Sequence, residues 1–384
     1  MKRLWVLACC FSMVTAQSTQ ELLKRIEALE EAQHTRITAG GRVQMDMDMA
    51  TPQGSYTPGG LVLFKEGEEA QLSMNVRDSR LWIKSISESD IGYIRSVAEV
   101  YFFGEKGNEI NTNAHGLALR YLYATSNGFT VGQASSLFST RYASDTLLKP
   151  INLTVVRQPM LAYTITLNTT TLFDMALEQP ESYLNDTGGN KLSVNDDRFA
   201  DMTLRLRSDI PYLEYAIAAM VRQIRYDAIS IEGVDYEESA DAWAWGVNVS
   251  GKLKLFTLDN LYINMQCGNG IGRYFTLNAY TDATLMPDGG LKLHRLYGGS
   301  VGYEHWFSSV WQSNLVWVGT YFDAPDVLAQ SDLEKRVDSW QANVIYSPIK
   351  KGRVGIEYAW AKRTLLNGEK GETNWVRLQF RYDF

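Results

Sequence analysis

Cysteine is almost missing from this sequence. Three are present in 384 residues, and two of them, Cys9 and Cys10, fall within the first sixteen. A chain left with Cys267 alone closes no internal disulfide, which excludes the disulfide-stapled class of secreted folds. Long apolar runs are missing as well. After residue 16 no stretch reaches the roughly 18 apolar residues that a membrane-spanning helix requires. Histidine is rare, at His34, His115, His294 and His305, and these lack the spacing of metal ligands. No metal and no cofactor is expected. Basic residues are outnumbered, with a net charge of −7, which excludes bulk nucleic-acid binding. Proline is scarce, nine against thirty glycines, so few positions forbid a backbone ladder.

What the sequence does contain is aromatic residues, 12% of the chain with 21 Tyr and 10 Trp, set into strict alternation. The final stretch NWVRLQFRYDF puts Val376, Leu378, Phe380, Tyr382 and Phe384 on one parity and Arg377, Gln379, Arg381 and Asp383 on the other. Successive side chains of a strand point to opposite faces, so this segment has an apolar face and a charged one. RLWIKS sets Leu81 and Ile83 against Arg80, Trp82 and Lys84; WAWGVNVSGKLKL sets Trp243, Trp245, Val247 and Val249 against Asn248, Ser250 and Lys252; SWQANVIY sets Trp340, Ala342, Val344 and Tyr346 against Gln341 and Asn343. Aromatics also gather at strand ends, as at Tyr303, Trp306, Phe307 and Trp311.

Sixteen such strands are expected, from 37–49 to 374–384, and the connections between them fall into two classes. SESDI, SNG, NTT, SDIP, FTLDN, SS and SPIKKG are short. They alternate with long segments at 50–71, 104–116, 139–158, 180–197, 227–240, 269–290, 323–335 and 364–373. A soluble sandwich has no reason to sort its connections this way, whereas a transmembrane barrel has short turns at one rim and long loops at the other. The expected fold is therefore all-β, a transmembrane antiparallel β-barrel of 16 strands over residues 37–384, with its apolar parity toward lipid and its polar parity toward a water-filled lumen.

Two segments precede it. MKRLWVLACCFSMVTA carries Lys2 and Arg3, then an apolar stretch, then Val14 and Ala16 before Gln17, which is the pattern of a secretory signal over residues 1–16. Residues 17–36 hold Leu22, Ile26 and Leu29 at heptad spacing with Gln33 at the next seam position, as in a short coiled-coil helix. It spans fewer than three heptads, too short to be stable alone, which suits an oligomerising leader on the periplasmic side.

Counting inward positions from the short turns places Arg42, Arg80, Arg120 and Arg377 near mid-height, with Lys84, Arg95 and Arg381 inward and lower. Their strands become neighbours when the barrel closes, so they are expected to form one basic wall, with Arg377 beside Arg42 across the seam and Glu99 neutralising part of it. The third long connection, 139–158, carries Leu147, Leu148, Ile151, Val155 and Val156, which suit a loop folded into the barrel. Folded so, it brings Arg141, Lys149 and Arg157 to the pore. Cationic walls concentrate anions, and guanidinium forks match carboxylates. The competing reading is structural: the same arginines pair with Asp46, Asp48, Glu99 and Glu357 and brace the wall. Other constellations are weak. His305 beside Ser308 makes no nucleophile–base pair, Asn195–Asp197 reads as a solvated acidic turn, and Gly268–Gly272 reads as a flexible loop without the strand–turn–helix context of a phosphate site.

The combination of ELLKRIEALEEAQ, GGRVQMDMDM, SRLWIKS, VGQASSLFS and a final Phe384 resembles the DcaP-like porins of Gram-negative outer membranes, over essentially the whole chain after residue 16. The chain departs from that pattern at Ala134 and Ser135, where an aromatic commonly follows Gln133. The resemblance implies a homotrimeric sixteen-stranded porin in contact with outer-membrane lipid, an inward constriction loop, a basic eyelet, and passage of small anions including dicarboxylates, without catalysis. The alternative from another class is a structural or adhesive barrel whose long loops bind a partner.

Overall fold

The structure, a computed structural model, describes Lys24 and residues 35–51, 71–105, 112–113, 115–148, 154–192, 196–227, 229–231, 234–236, 239–275 and 280–384. The expected signal, the leader helix apart from Lys24 and residues 35–36, and Lys149 lie outside the described residues. Thr35 and Arg36, assigned above to the leader, belong to the first strand.

Sixteen antiparallel strands form the wall, numbered here in chain order: β1 Thr35–Thr51, β2 in two pieces Gln71–Asn75 and Arg80–Ser89, β3 Gly92–Tyr101, β4 Ala118–Ser126, β5 Phe129–Ser135, β6 Arg157–Thr166, β7 Thr171–Glu178, β8 Asp201–Ile210, β9 Leu213–Tyr226, β10 Ala240–Leu255, β11 Asp259–Asn269, β12 Arg295–Trp306, β13 Trp311–Asp323, β14 Glu334–Ile349, β15 Gly352–Leu365 and β16 Lys370–Asp383. Each pairs with its sequence neighbours, and β1 pairs with β16 to close the barrel. Short turns join them at one rim, such as Asn127–Gly128, where both residues have positive φ as a two-residue hairpin demands. The last connection is a correction. Residues 364–373 were expected to form a long loop, but β15 and β16 run on as a hairpin and leave only 366–369 between them.

The alternation read from the sequence is the inside–outside axis of the wall. Trp245 is 50% exposed and Phe380 42%, while Asn248 is 3% and Arg377 0%. This order, apolar outside and polar inside, inverts that of a soluble protein and is the signature of a lipid-facing barrel. Outward aromatics border the apolar band. Trp311 stacks on Tyr346 with centroids 4.4 Å apart toward the short-turn rim, and Trp317, Trp340 and Trp360 stand in register toward the other. Trp306, one of the aromatics gathered at strand ends, shares the inward parity of Glu304, to whose carboxylate its Nε1–H donates.

The seam depends on two glycines. Gly41 exchanges backbone hydrogen bonds with Phe384 at 3.0 and 3.2 Å. A Cβ on Gly41 would lie 2.6 Å from both the Phe384 ring and the Arg80 carbonyl, and one on Gly40 would lie 2.3 Å from the Trp82 ring. The Phe384 and Trp82 rings occupy the space that these two residues leave empty.

At the long-loop rim, parts of two connections pair into a small sheet: Leu184–Asn185 with Lys191–Leu192 and with Ala283–Leu285, and the last with Leu291–Leu293. Its apolar residues Leu184, Ala283 and Leu285 cluster with Ile224 and Tyr226 of β9 and Ala244 of β10. A second core joins Phe138, Ile271, Tyr274, Phe275 and Tyr280 to Met220, Leu296 and Phe322. The flexible loop expected at Gly268–Gly272 is therefore overturned. Ile271 is fully buried in that core, and Cβ atoms at Gly270 and Gly272 would meet neighbours at 2.6 and 2.3 Å. His294, just before β12, is enclosed with it. Nε2 lies 2.7 Å from Thr284 Oγ1 and Nδ1 lies 3.0 Å from the Thr281 carbonyl.

Two outcomes follow. Gly41→Val should reduce the fraction of refolded chain that migrates as compact barrel in semi-native electrophoresis, whereas Gly299→Ala, whose Cβ meets only a contact at 3.4 Å, should not. Burial lowers the His294 pKa to about 4, below the unfolded value of about 6.5. The unfolded loops then bind a proton that the folded loops refuse, so the stabilisation is complete above pH ~6.5 and is lost as pH falls toward ~4, by about 3 kcal/mol. The protection factors of amides over 281–296, corrected for the slower intrinsic exchange at low pH, should fall on acidification in the wild type and change less in His294→Gln.

Candidate functional site

Strand parity decides which charges reach the lumen, and two irregularities modify it. Between the pairs Arg42–Arg80 and Asp46–Asn75, four residues of β2 face three of β1. Ser79 Oγ repairs the interrupted ladder, accepting from the Gln44 N–H at 3.0 Å and donating to its carbonyl at 3.1 Å. The bulge leaves Asp78 buried, 3.5 Å from Arg80. On β4, a register shift against β3 leaves Leu119 and Leu122 both facing out. Arg120 and Tyr121, between them, both turn inward, which simple alternation does not foresee.

The result is a run of arginines across neighbouring strands. Arg353 of β15 stands opposite Arg381 of β16, and Arg42 of β1 opposite Arg80 of β2. Arg120 follows on β4, and Arg157, entering β6, lays its guanidinium over the Tyr121 ring with 5.3 Å to the centroid. Like charges placed directly opposite repel, and carboxylates interleave to hold them. Asp383 takes Arg42 at 2.7 Å and Arg381 at 2.7 Å; Glu99 takes Arg120 at 2.6 Å and Arg80 at 3.8 Å; Asp145 takes Arg353 at 2.6 Å. Among the described residues, six guanidinia in this run meet four carboxylates, counting Asp78 beside Arg80.

Of the arginines and lysines expected from the sequence, Arg42, Arg80, Arg120, Arg157 and Arg381 belong to this run. Lys84 shares their face and lies over Trp82, 4.6 Å from the ring centroid. Arg95 is exposed at the short-turn end, apart from the cluster. Arg141 lies over the ring of Tyr142, and its Nε donates to the Tyr142 hydroxyl. Arg377 departs from expectation. It pairs in register with Asp48, six residues along β1 from Arg42, whose own partner is Asp383. At about 3.4 Å per residue that separation is ~20 Å. The stagger that tilted strands impose on a closed barrel sets the two residues at different heights, although each stands at a similar residue count from its turn. Arg377 is fully buried and forms a fork with Asp48 at 2.6 and 2.7 Å. It therefore braces the wall, as the structural reading held.

The segment after β5 is joined to the inner wall at many points. The Leu147 and Leu148 N–H groups donate to the two oxygens of Glu357, and the Leu147 carbonyl accepts from Arg377. Asp145 accepts from Gln312 as well as Arg353. Ser144 sits where a Cβ on Gly302 would fall 1.9 Å from its Oγ. Leu148 packs with Ala50, Ala359 and Trp375. At the root of the segment, buried Glu178 accepts from the Leu137 N–H and from Gln158 and Thr203. These contacts run from β7 round to β16. Ser135 hydrogen-bonds the Tyr121 hydroxyl at 3.0 Å.

A second basic group was missed in the sequence. Arg205 and Arg207 of β8 share one carboxylate, Asp174, at 2.9 and 2.8 Å. Alternation in MTLRLRS already places both inward, opposite the outward Met202 and Leu204. A third, fully buried, joins loops to wall: Arg222 of β9 meets Asp201 at 3.3 Å and Asp282 at 3.1 Å and donates to Ser182. No signal in the sequence pairs these residues, since Arg222 and Asp201 stand on β9 and β8 while Ser182 and Asp282 lie on two separate connections.

The family model for the DcaP outer membrane protein matches residues 31–384. Among solved structures the fold is similar to the outer membrane channel DcaP of Acinetobacter baumannii, at 19% identity and TM-score 0.78, covering 91% of this chain and 97% of that one. It is also similar to an anion-selective porin from Comamonas acidovorans, at 10% identity and TM-score 0.57, covering 91% and 100%, and to a trimer form of OmpT from Vibrio cholerae, at 11% identity and TM-score 0.56, covering 91% and 99%. No curated protein matches the sequence.

Removing one partner of a buried ion pair strands the other charge, at a cost of about 3–5 kcal/mol. Arg377→Met should therefore lower barrel stability by about that amount in urea unfolding, and Arg377→Met with Asp48→Leu should recover most of the loss.

Proposed function

The chain belongs to the DcaP outer membrane protein family, and from that premise we propose that it is a passive channel that prefers small anions, dicarboxylates among them. The observation that carries this reading is the arginine run from Arg353 through Arg381, Arg42, Arg80 and Arg120 to Arg157, with fewer carboxylates than guanidinia among its partners. Arg205 and Arg207, which among the described residues share Asp174 as their carboxylate partner, add positive potential on another part of the wall. A channel lined this way raises the local concentration of anions by its field, and a guanidinium fork replaces part of a carboxylate's hydration shell as it passes. Binding at each step is weak enough for release to the next, so flux follows the gradient without catalysis.

Residues 139–158 act in this reading as the constriction loop, with Arg141 adding to the positive lining. Their support is the set of hydrogen bonds that Arg141, Asp145, Leu147 and Leu148 make with wall residues. The chain assembles as a homotrimer in the outer membrane, after removal of residues 1–16, with the 17–36 leader on the periplasmic side. One barrel of similar fold is named as anion-selective and another in a trimer form, which agrees with this reading.

Planar-bilayer recordings under a KCl gradient test it. The reversal potential should show chloride favoured over potassium, and Arg80→Gln with Arg120→Gln should lower the permeability ratio by roughly two- to fivefold. Cation preference in the wild type would overturn the proposal, and a protein that inserts without conducting would point to a structural or adhesive barrel.

A further inference from the structure

The outward face of β12–β16 changes character beyond its long-loop aromatic row. Trp317, Trp340 and Trp360 stand side by side in register. The next outward row holds Asp338, Lys362 and Glu372, and the one after it holds Tyr321, Arg336, Thr364 and Lys370. Arg295 and Asp323 lie opposite one another further out. Lys335 sits at a register shift between Glu334 and Arg336 and is exposed. Two internal pairs use part of this charge: Arg336 with Asp338 at 2.6 Å and Lys362 with Glu372 at 2.8 Å, the two cations still 60% and 42% exposed. Among the described residues, Arg295, Lys335 and Lys370 have no acidic partner within ion-pair distance. The patch belongs to one side of the barrel; at the same rim Leu117, just before β4, and Leu119 of β4 are exposed instead.

Charge on the outside of a membrane barrel is costly at mid-bilayer and tolerated at headgroup level. These cations stand just beyond the aromatic row that marks the apolar boundary, at the rim that in outer-membrane barrels faces the outer leaflet. We propose that the outward face of β12–β16 is a docking surface for phosphorylated glycolipid headgroups of the outer leaflet. Arg295, Lys335, Arg336 and Lys370 would contact phosphate, and the tryptophan row would lie against the acyl chains below. Arginine forks and lysine ammonium groups at a wet interface suit phosphate oxygens, and the aromatic rings suit the acyl boundary. A patch on one side of the wall makes that side a lipid-facing one, distinct from any face covered by another copy of the chain.

The test uses full-length protein in nanodiscs containing phosphatidylethanolamine and diphosphorylated lipid A, followed by detergent washing and measurement of glycolipid phosphorus retained per chain. Replacing Arg295, Lys335, Arg336 and Lys370 together by Gln should reduce retention by roughly tenfold, since each basic residue at an anionic surface contributes measurably. Lys350→Gln with Lys351→Gln, at the short-turn rim, should leave retention unchanged, and single-channel conductance of the fourfold variant should equal that of the wild type, which verifies its fold. Equal retention by the fourfold variant overturns the proposal. So does equal retention of dephosphorylated lipid A by the wild type. Inorganic phosphate alone should give no saturable heat in titration calorimetry; binding of it as tight as that of the glycolipid overturns the assignment to lipid.

Discussion

An unpaired peptide group in hydrocarbon has no water to turn to, so a sheet that crosses a membrane must close on itself. In this protein closure is the pairing of β1 with β16, ten residues against ten from Arg42–Asp383 to Thr51–Asn374. The register of that seam is set where Phe384 lies against Gly41, and a substituent on the glycine has no room. Everything described for the lumen depends on it. The same register that seats Phe384 brings Arg377 to Asp48 and Arg42 to Asp383, so the charge pairs inside the barrel follow from the closure of its backbone.

The inner face then faces a problem that a soluble core does not have. Its side chains are polar, packed and partly away from water, so each needs a partner. The solution differs by region. Beneath the 139–148 segment, Arg377, Asp48 and Glu357 are fully enclosed and satisfied by one another and by loop backbone. Along the run from Arg353 to Arg157, guanidinia outnumber carboxylates and several remain partly exposed. The two readings offered for the arginines at the outset, bracing and attraction of anions, thus divide between residues: Arg377 braces, and the run supplies the potential on which the proposed selectivity rests.

The long connections contribute packing as much as shape. The core at Phe138, Ile271 and Tyr274 and the ion cluster around Arg222 join three connections to β8–β13. Loops with this much buried apolar surface and this many satisfied charges behave as part of the scaffold. His294 shows how closed that packing is, since burial holds its ring neutral well below the usual imidazole range.

Strand number, the two classes of connection and the face of almost every wall residue were legible in the sequence, because alternation is a local property set by backbone geometry within one strand. Lys84, Arg42 and Arg381 could be assigned to the lumen on that ground, and Arg205 and Arg207 could have been. What a strand cannot state is its stagger against the next one. That offset accumulates around a tilted, closed wall, so the distance between Arg42 and Arg377 was decided only when the barrel closed. The bulges at Val76–Ser79 and Arg120 belong to the same level, since a bulge exists only relative to a partner strand. So do the contacts of Leu147 with Glu357 and of Arg222 with Asp282, which join residues 210 and 60 positions apart. The sequence by itself determined which face each side chain takes; the tertiary structure decided which charges meet, because meeting depends on register between strands and on loops returning to a wall built elsewhere in the chain.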